Sequence, residues 1–356
     1  MTPDDSAGPA PDYVAPHAEL VDSALARIGN PQHRQVFYSK LENPKWVLPL
    51  TEKGAFNDVP PVTVDEQGVT LFVSWSQGEY LARMASVAPR EVAAALRPAL
   101  GSDNPAVQRV VLEAASRMPV EHAADLVTAI RSYVTKPYRA WLDPNKLVAI
   151  VRLLAEGGRM NHAKQFADAL YRPRQPAQAT SDPDSGLDSY WYAQTLPAAI
   201  KALNDAPKML PTVVIWLELW AKFTPYARAM SSLWRNEIES DERMQPTEPV
   251  GHALVNAVRD LARARIDAGQ PLPEIVEQIE RGRESIFLRL SLDTIAYALR
   301  HVAARDSATQ DVEDSVGPDV ELVGLAHSRL VTPELLSGEY RPEYHSLARS
   351  VLRHLS

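Results

Sequence analysis

His122-Ala-Ala-Asp-Leu-Val-Thr-Ala-Ile130 is echoed forty residues later by His162-Ala-Lys-Gln-Phe-Ala-Asp-Ala-Leu170. Each copy follows a helix-opening pair, Asn104-Pro105 and Asp143-Pro144, themselves 39 residues apart. A side-chain acceptor at the N-cap satisfies an orphan amide, and proline at the first helical position gives up no hydrogen bond there. Val92, Leu96 and Leu100 precede His122, Leu126 and Ile130 by thirty residues with the same spacing. Helix pairs recurring every 30–40 residues mark a HEAT- or armadillo-like solenoid, in which one pair cannot bury its apolar face alone but stacked neighbours can. The alternative is a non-repetitive helical bundle. The expected fold is all-α: an α-solenoid, a curved array of antiparallel helix pairs.

Helical stripes extend outward from this stretch. Ser76 and Glu79 have the spacing of a capping box, and Tyr80, Leu81, Met84 and Val87 follow on one face. Val107, Val110, Val111, Ala114 and Met118 form another stripe, as do Leu147, Ile150, Val151 and Leu154, and Phe166 with Leu170. Thr332-Pro333 repeats the cap-and-proline signal near the C-terminus. The period breaks at 62–73, where Val62 and Val64, then Val69, Leu71 and Val73, alternate around Glu66-Gln67-Gly68. That pattern predicts a small β-hairpin insertion at the N-terminal end of the array.

Composition divides the chain further. Residues 1–16 are acidic and proline-rich, with neither a basic leader nor an apolar segment, and are expected to form a disordered tail. Two polar stretches, 172–189 and 304–320, lack apolar periodicity and are expected to be linkers, the second of them acidic. They separate an N-terminal repeat block (17–171), a middle helical block (190–303) and C-terminal helices (321–356). In the middle block Trp216 and Trp220 share a helix face at i, i+4. With Tyr190, Trp191, Tyr192 and Trp234 they read as core packing, or alternatively as an aromatic groove for a peptide. Long helices are expected over 251–268 and 285–303.

The 356 residues contain no cysteine, which excludes disulfides, cysteine–zinc sites and a cysteine nucleophile. Nine lysines against 28 arginines fit a GC-rich bacterial gene. The most apolar run, Met209 to Leu217, is about half a membrane span and ends at Glu218, so a cytoplasmic protein without membrane insertion is expected. No phosphate-cradling glycine loop, dinucleotide fingerprint, nucleophile elbow or His-Glu-x-x-His occurs. The nine histidines are scattered, and Glu274, Glu277, Glu280 and Glu284 read as a solvated helix face beside Arg281 and Arg283. No catalytic, cofactor-binding or metal-ligating residues and no cofactor are therefore assigned.

One region departs from the overall charge of −8. Residues 131–174 hold nine basic side chains against three acidic ones, leaving a deficit of fourteen on the rest of the chain. Arg131, Lys136, Arg139, Lys146, Arg152 and Arg159, with Tyr138 and Trp141 among them, are the candidate partner- or polyanion-binding residues. Arginines beside exposed aromatics can hold phosphates and stack bases, or dock an acidic protein.

Three segments carry a resemblance: FYSKLENPKWVLPLTEKGAF (37–56), WSQGEYLARMA (75–85), and DNPAV (103–107) with Met118-Pro119. Together, over residues 35–135, they resemble the N-terminal helical-repeat region of large uncharacterised bacterial proteins associated with phage defence or signalling. These motifs are structural punctuation and transfer no catalytic residue. The resemblance implies a non-catalytic scaffold or sensor subunit mediating protein–protein interaction in bacterial antiviral defence. The alternative is a nucleic-acid-binding helical-repeat protein using the basic face at 131–174. A protein partner is thus expected, with nucleic acid as the competing partner and the oligomeric state open.

Overall fold

A computed structural model describes residues 12–176, 183–206, 208–224, 227, 231–239, 249–308 and 320–355, of which 303–308, 320–321 and 354–355 are described by their backbone alone. Part of each expected non-helical segment therefore lies outside the described residues: 1–11 of the tail, 177–182 of the first linker and 309–319 of the second. The described chain is mostly helical, with one two-stranded antiparallel sheet. It divides into two compact units, 1–166 and 167–356.

The first unit contains α1 (Ala18–Arg27), α2 (Pro31–Lys40), α3 (Val47–Glu52), β1 (Val62–Val64), β2 (Thr70–Phe72), α4 (Ser76–Met84), α5 (Pro89–Ala95), α6 (Pro105–Arg117), α7 (Val120–Tyr133) and α8 (Pro144–Glu156). The boundary between units falls within α9 (Met160–Tyr171). Helices α1 to α6 each pack on the one two places along: α2 on α4, α4 on α6, α6 on α8, and α1 on α3, α3 on α5, α5 on α7. Sequential helices α4 and α5, α6 and α7, and α7 and α8 also touch. The expected apolar stripes supply this core, with Val92, Leu96, Val107, Val111, Ile130, Ile150, Val151 and Leu154 all buried.

The helix starts follow the proline signals in part. Asn104 and Asp143 accept the amides of Ala106 and Asn145 at 3.0 and 2.9 Å. The capping box at Ser76 does not form. Trp75 holds the N-cap position, fully buried, and the Ser76 hydroxyl turns to Gln77. Gly78 lies against the Trp75 ring so closely that a Cβ would overlap it. The helix ends at Met84, which leaves Val87 exposed instead of on the stripe. Thr332-Pro333 opens only a short 3-10 turn without a side-chain cap; the Thr332 hydroxyl donates back to Ser328.

The hairpin forms with Val62 opposite Phe72 and Val64 opposite Thr70. Asp65 accepts the amides of Gln67 and Val69, and Gly68 takes the positive φ of the turn. It does not sit at the N-terminal end. Phe72 packs edge-on against Tyr138 and Trp141, with centroids 4.9 and 5.4 Å apart. Asn104 pins the hairpin's base: fully buried, it caps α6 through its carbonyl while its amide donates to Pro60 O at 3.1 Å and Val73 O at 2.9 Å.

The second unit contains α10 (Ser189–Ala202), α11 (Met209–Phe223), α12 (Ser231–Trp234), α13 (Pro249–Asp267), α14 (Leu272–Glu280), α15 (Ser285–Ala308), α16 (Val320–Leu330) and α17 (Arg341–Leu355). Here α15 is central, packing against α13, α14, α16 and α17, while α10 and α11 pack on α13. The tryptophans at 216, 220 and 234 are buried in this core. Trp216 donates to Asp168, and Trp220 meets Trp234 edge-on at 4.8 Å. Gly251 gives the Trp220 ring its space. Between the chain stretches flanking 177–182, Arg174 and Asp184 pair through both backbone bonds and their side chains. No described helix is long and apolar enough to cross a membrane.

Two outcomes follow from these packings. Asn104→Ala removes a cap worth about 1 kcal/mol and strips two carbonyls of a donor, so urea melts should register a loss of roughly 2–4 kcal/mol. Asn104→Asp keeps the cap but not the donors, and should remain destabilised. The second outcome concerns five buried phenols. Burial raises the pKa of Tyr38 to about 12 and moves Tyr80, Tyr133, Tyr171 and Tyr192 upward as well. In the unfolded chain these phenols release protons near pH 10, before the folded chain does, so stability falls as pH rises beyond about 10. Absorbance at 295 nm should show them ionising together with loss of helical circular dichroism.

Candidate functional site: a basic and aromatic face

Between α7 and α8 the chain runs through a 3-10 turn, Arg139–Trp141, against which the hairpin rests. The structure brings Lys136, Tyr138, Arg139, Trp141 and Lys146 to this neighbourhood. Arg131 lies exposed on the last turn of α7, and Arg159 is exposed just before α9. Arg152 is six residues beyond Lys146 and so projects from a different face of α8.

Several of the cations are engaged within the fold. Lys136 is four-fifths buried at its side chain, pairs with Asp103 at 2.9 Å and donates to the carbonyls of Gly101 and Ser102 at 2.8 Å. Its ammonium lies 5.6 Å from the Tyr133 ring centroid. Lys146 pairs with Glu113, which also holds Arg117. Arg152 pairs with Glu156 one turn on at 3.5 Å. The local surplus of positive charge is thus countered in part by Asp103 and Glu113, acidic residues from outside the 131–174 stretch.

Beside the exposed arginines 131, 152 and 159, several large apolar side chains are presented to solvent. Trp141 is 66% exposed. In the hairpin the even-numbered Val62 and Phe72 are half-buried, while Val64 on the same face is exposed; Val69, Leu71 and Val73, odd-numbered, are about half exposed. Asp65 N donates to Val69 O, placing 65/69 and 63/71 at the hydrogen-bonded positions of the ladder. The peptide groups of Val62 and Val64 then face outward along β1, and those of Thr70 and Phe72 outward along β2.

A second set of polar residues escaped the sequence reading. Arg289 is completely buried and forks onto Glu343 with two bonds of 2.9 Å. It also donates to the carbonyls of Arg235 and Asn236 at 2.7 and 2.6 Å. Arg235, equally buried, reaches Glu237 O, Ile238 O, Asn256 and His252 Nδ1. His252 Nε2 lies 2.6 Å from Trp234 O, so the neutral ring carries its proton there and accepts from Arg235 at Nδ1. Asp293, buried on the same central helix, faces Arg263 at 3.0 Å. Burial raises its pKa, and the neighbouring guanidinium opposes that shift. Glu280 also departs from the expected solvated face. It takes two bonds from Arg329, at 2.6 and 2.7 Å, and one from Ser291 at 2.6 Å, because the buried Ser291 needs an acceptor. His301 pairs with Asp267, at 3.4 Å.

The two most buried arginines meet partners from 2 to 54 residues away in sequence, and no short motif announces them. The one available signal is an arginine and an aspartate, 289 and 293, inside an otherwise apolar helical run. Among the described residues no cluster of three metal-binding side chains occurs. The chain matches no protein-family model, no curated protein and no solved structure.

Arg289→Met should cost about 3–5 kcal/mol in a denaturant melt, because it leaves Glu343 buried and unpaired. Replacing both partners, Arg289→Met with Glu343→Leu, should recover part of that loss. Equal losses in the single and double variants would argue that the backbone carbonyls, and not the ion pair, dominate.

Proposed function

We propose that the chain is a non-catalytic helical-repeat scaffold or sensor subunit, and that its first unit docks a protein partner on the hairpin and the 3-10 turn beside it. The observation that carries this reading is the group of exposed apolar side chains on the hairpin, Val69, Leu71 and Val73, together with Trp141, which stays 66% exposed although its ring meets Phe72. Large apolar side chains grouped on a surface are the usual mark of a binding site, and tryptophan is a frequent anchor in such sites. Helices packed on their neighbours two places along support a HEAT- or armadillo-like solenoid reading of the first unit. The resemblance over residues 35–135 supports a setting in bacterial antiviral defence.

Nucleic acid fits this face less well. A polyanion site needs cations free to displace counterions. Lys136, Lys146 and Arg152 instead meet Asp103, Glu113 and Glu156. The aromatic Tyr138 is occupied by Phe72.

Leu71→Ser, at an exposed position, should leave the fold intact, and Trp141→Ala, which also gives up the ring contact with Phe72, should keep the helical circular dichroism of the parent. A tagged chain recovered from its host with and without nuclease should carry a stoichiometric protein partner that survives nuclease. Trp141→Ala should weaken that partner by about 2 kcal/mol, close to thirtyfold in Kd. Recovery of nucleic acid instead, lost with added salt and with Lys136→Glu, Arg139→Glu and Arg152→Glu combined, would replace the protein reading. Retention of the partner by both apolar variants would remove it from this face.

A further inference from the structure

A cleft of about 290 Å³ opens in the second unit between the 237–239 segment, α15 and α17. Its floor contains the buried carboxylates of Asp293 and Glu343, and its rim carries exposed charges of both signs. Most of the carboxylates are already answered within the fold: Glu343 by Arg289, Asp293 by Arg263, and Glu239 by Arg300, which also donates to Ser346. Three lining groups enter no ion pair among the described residues. Arg341 and Arg349 project from α17, and Glu237 stands on the facing segment. Arg349 makes one long contact, 3.4 Å, to the His345 carbonyl on its own helix. Arg341 and Arg349 are eight residues apart, about 12 Å along the helix, and their long side chains can close on one small molecule from its two ends.

The unanswered charges therefore number two positive and one negative around a pocket of small-molecule size. Their complement is a ligand with two anionic groups and one cationic group. We propose that this cleft binds a free acidic amino acid, the class of aspartate and glutamate. Arg341 and Arg349 each take a carboxylate, and Glu237 takes the ammonium. Arginine suits the first task because its planar fork matches a carboxylate with two parallel bonds. The internally paired Asp293 and Glu343 keep the floor polar without adding net charge, so a simple dianion would meet Glu237 with nothing to offer it. This site is separate from the face in the first unit and does not depend on the function proposed for it.

Isothermal titration of the full chain with L-glutamate tests the proposal, with glutarate, L-glutamine and sodium chloride at matched ionic strength as comparators. Glutarate lacks the ammonium, and L-glutamine lacks the second carboxylate. Saturable binding of L-glutamate is expected, with both analogues weaker by roughly tenfold or more. Arg349→Gln should weaken L-glutamate by a similar factor, and Glu237→Gln should abolish the preference over glutarate. Both side chains are exposed, so unchanged thermal melts should accompany these effects. Failure to saturate by about 10 mM, an equal response to sodium chloride, or affinity unaltered in both variants would overturn the assignment.

Discussion

A guanidinium inside a protein must find an acceptor for its N–H groups, and Arg289 sits on a helix that is buried on nearly every side. Its neighbours Ile286, Phe287, Leu290, Leu292, Ile295 and Leu299 exclude water from α15. The charge is accommodated because α17 brings Glu343 to it and the 231–239 segment turns its carbonyls toward it. Those requirements fix the positions of three pieces of chain distant in sequence. Glu343 also accepts the Ile238 amide at 3.0 Å, and Glu339, one turn earlier, accepts the amide and hydroxyl of Ser231. The 231–239 segment is thus held by charged hydrogen bonds from α15 and from the chain at the start of α17, and it forms one wall of the cleft at 237–239.

The first unit solves a different problem. Its helices are short and its glycines few, and apolar contact between helices two places apart supplies the core. Polar side chains there act mainly at joints. Asn104 is the most heavily used of them, since one amide both starts α6 and closes the hairpin's base. With the base fixed and Phe72 lodged against Tyr138 and Trp141, the opposite face of the hairpin leaves Val69 and Leu71 about half exposed. A face left open by such a rigid attachment is a better docking surface than a mobile loop, because little ordering entropy is lost on binding.

Charge separates the two regions as well. The basic stretch at 131–174 looks like a polyanion site when its residues are counted along the chain. In space, Asp103 and Glu113 arrive from α6 and the loop before it and pair with Lys136 and Lys146. A linear charge count cannot register neighbours 30 residues away. The apolar alternation at 69–73 has the same ambiguity, for it specifies two faces but not which one meets the protein.

The sequence by itself determined the helical class, the proline-marked starts at Pro105 and Pro144, the buried stripes of α6 to α9, the hairpin and the long helices α13 and α15. All of these follow from local rules, namely the 3.6 and 2.0 periodicities and the chemistry of the first helical turn. The core role of Trp216, Trp220 and Trp234 was legible for the same reason. Local rules misjudged Ser76, because burying Trp75 outweighed a capping box, and Thr332, where only a 3-10 turn follows. Tertiary structure alone decided that the hairpin leans on Tyr138 and Trp141, that Glu280 serves Ser291 and Arg329, and that Arg289 meets Glu343. A buried polar group is satisfied by whichever acceptor the packing delivers, and that acceptor leaves no periodic trace in the chain.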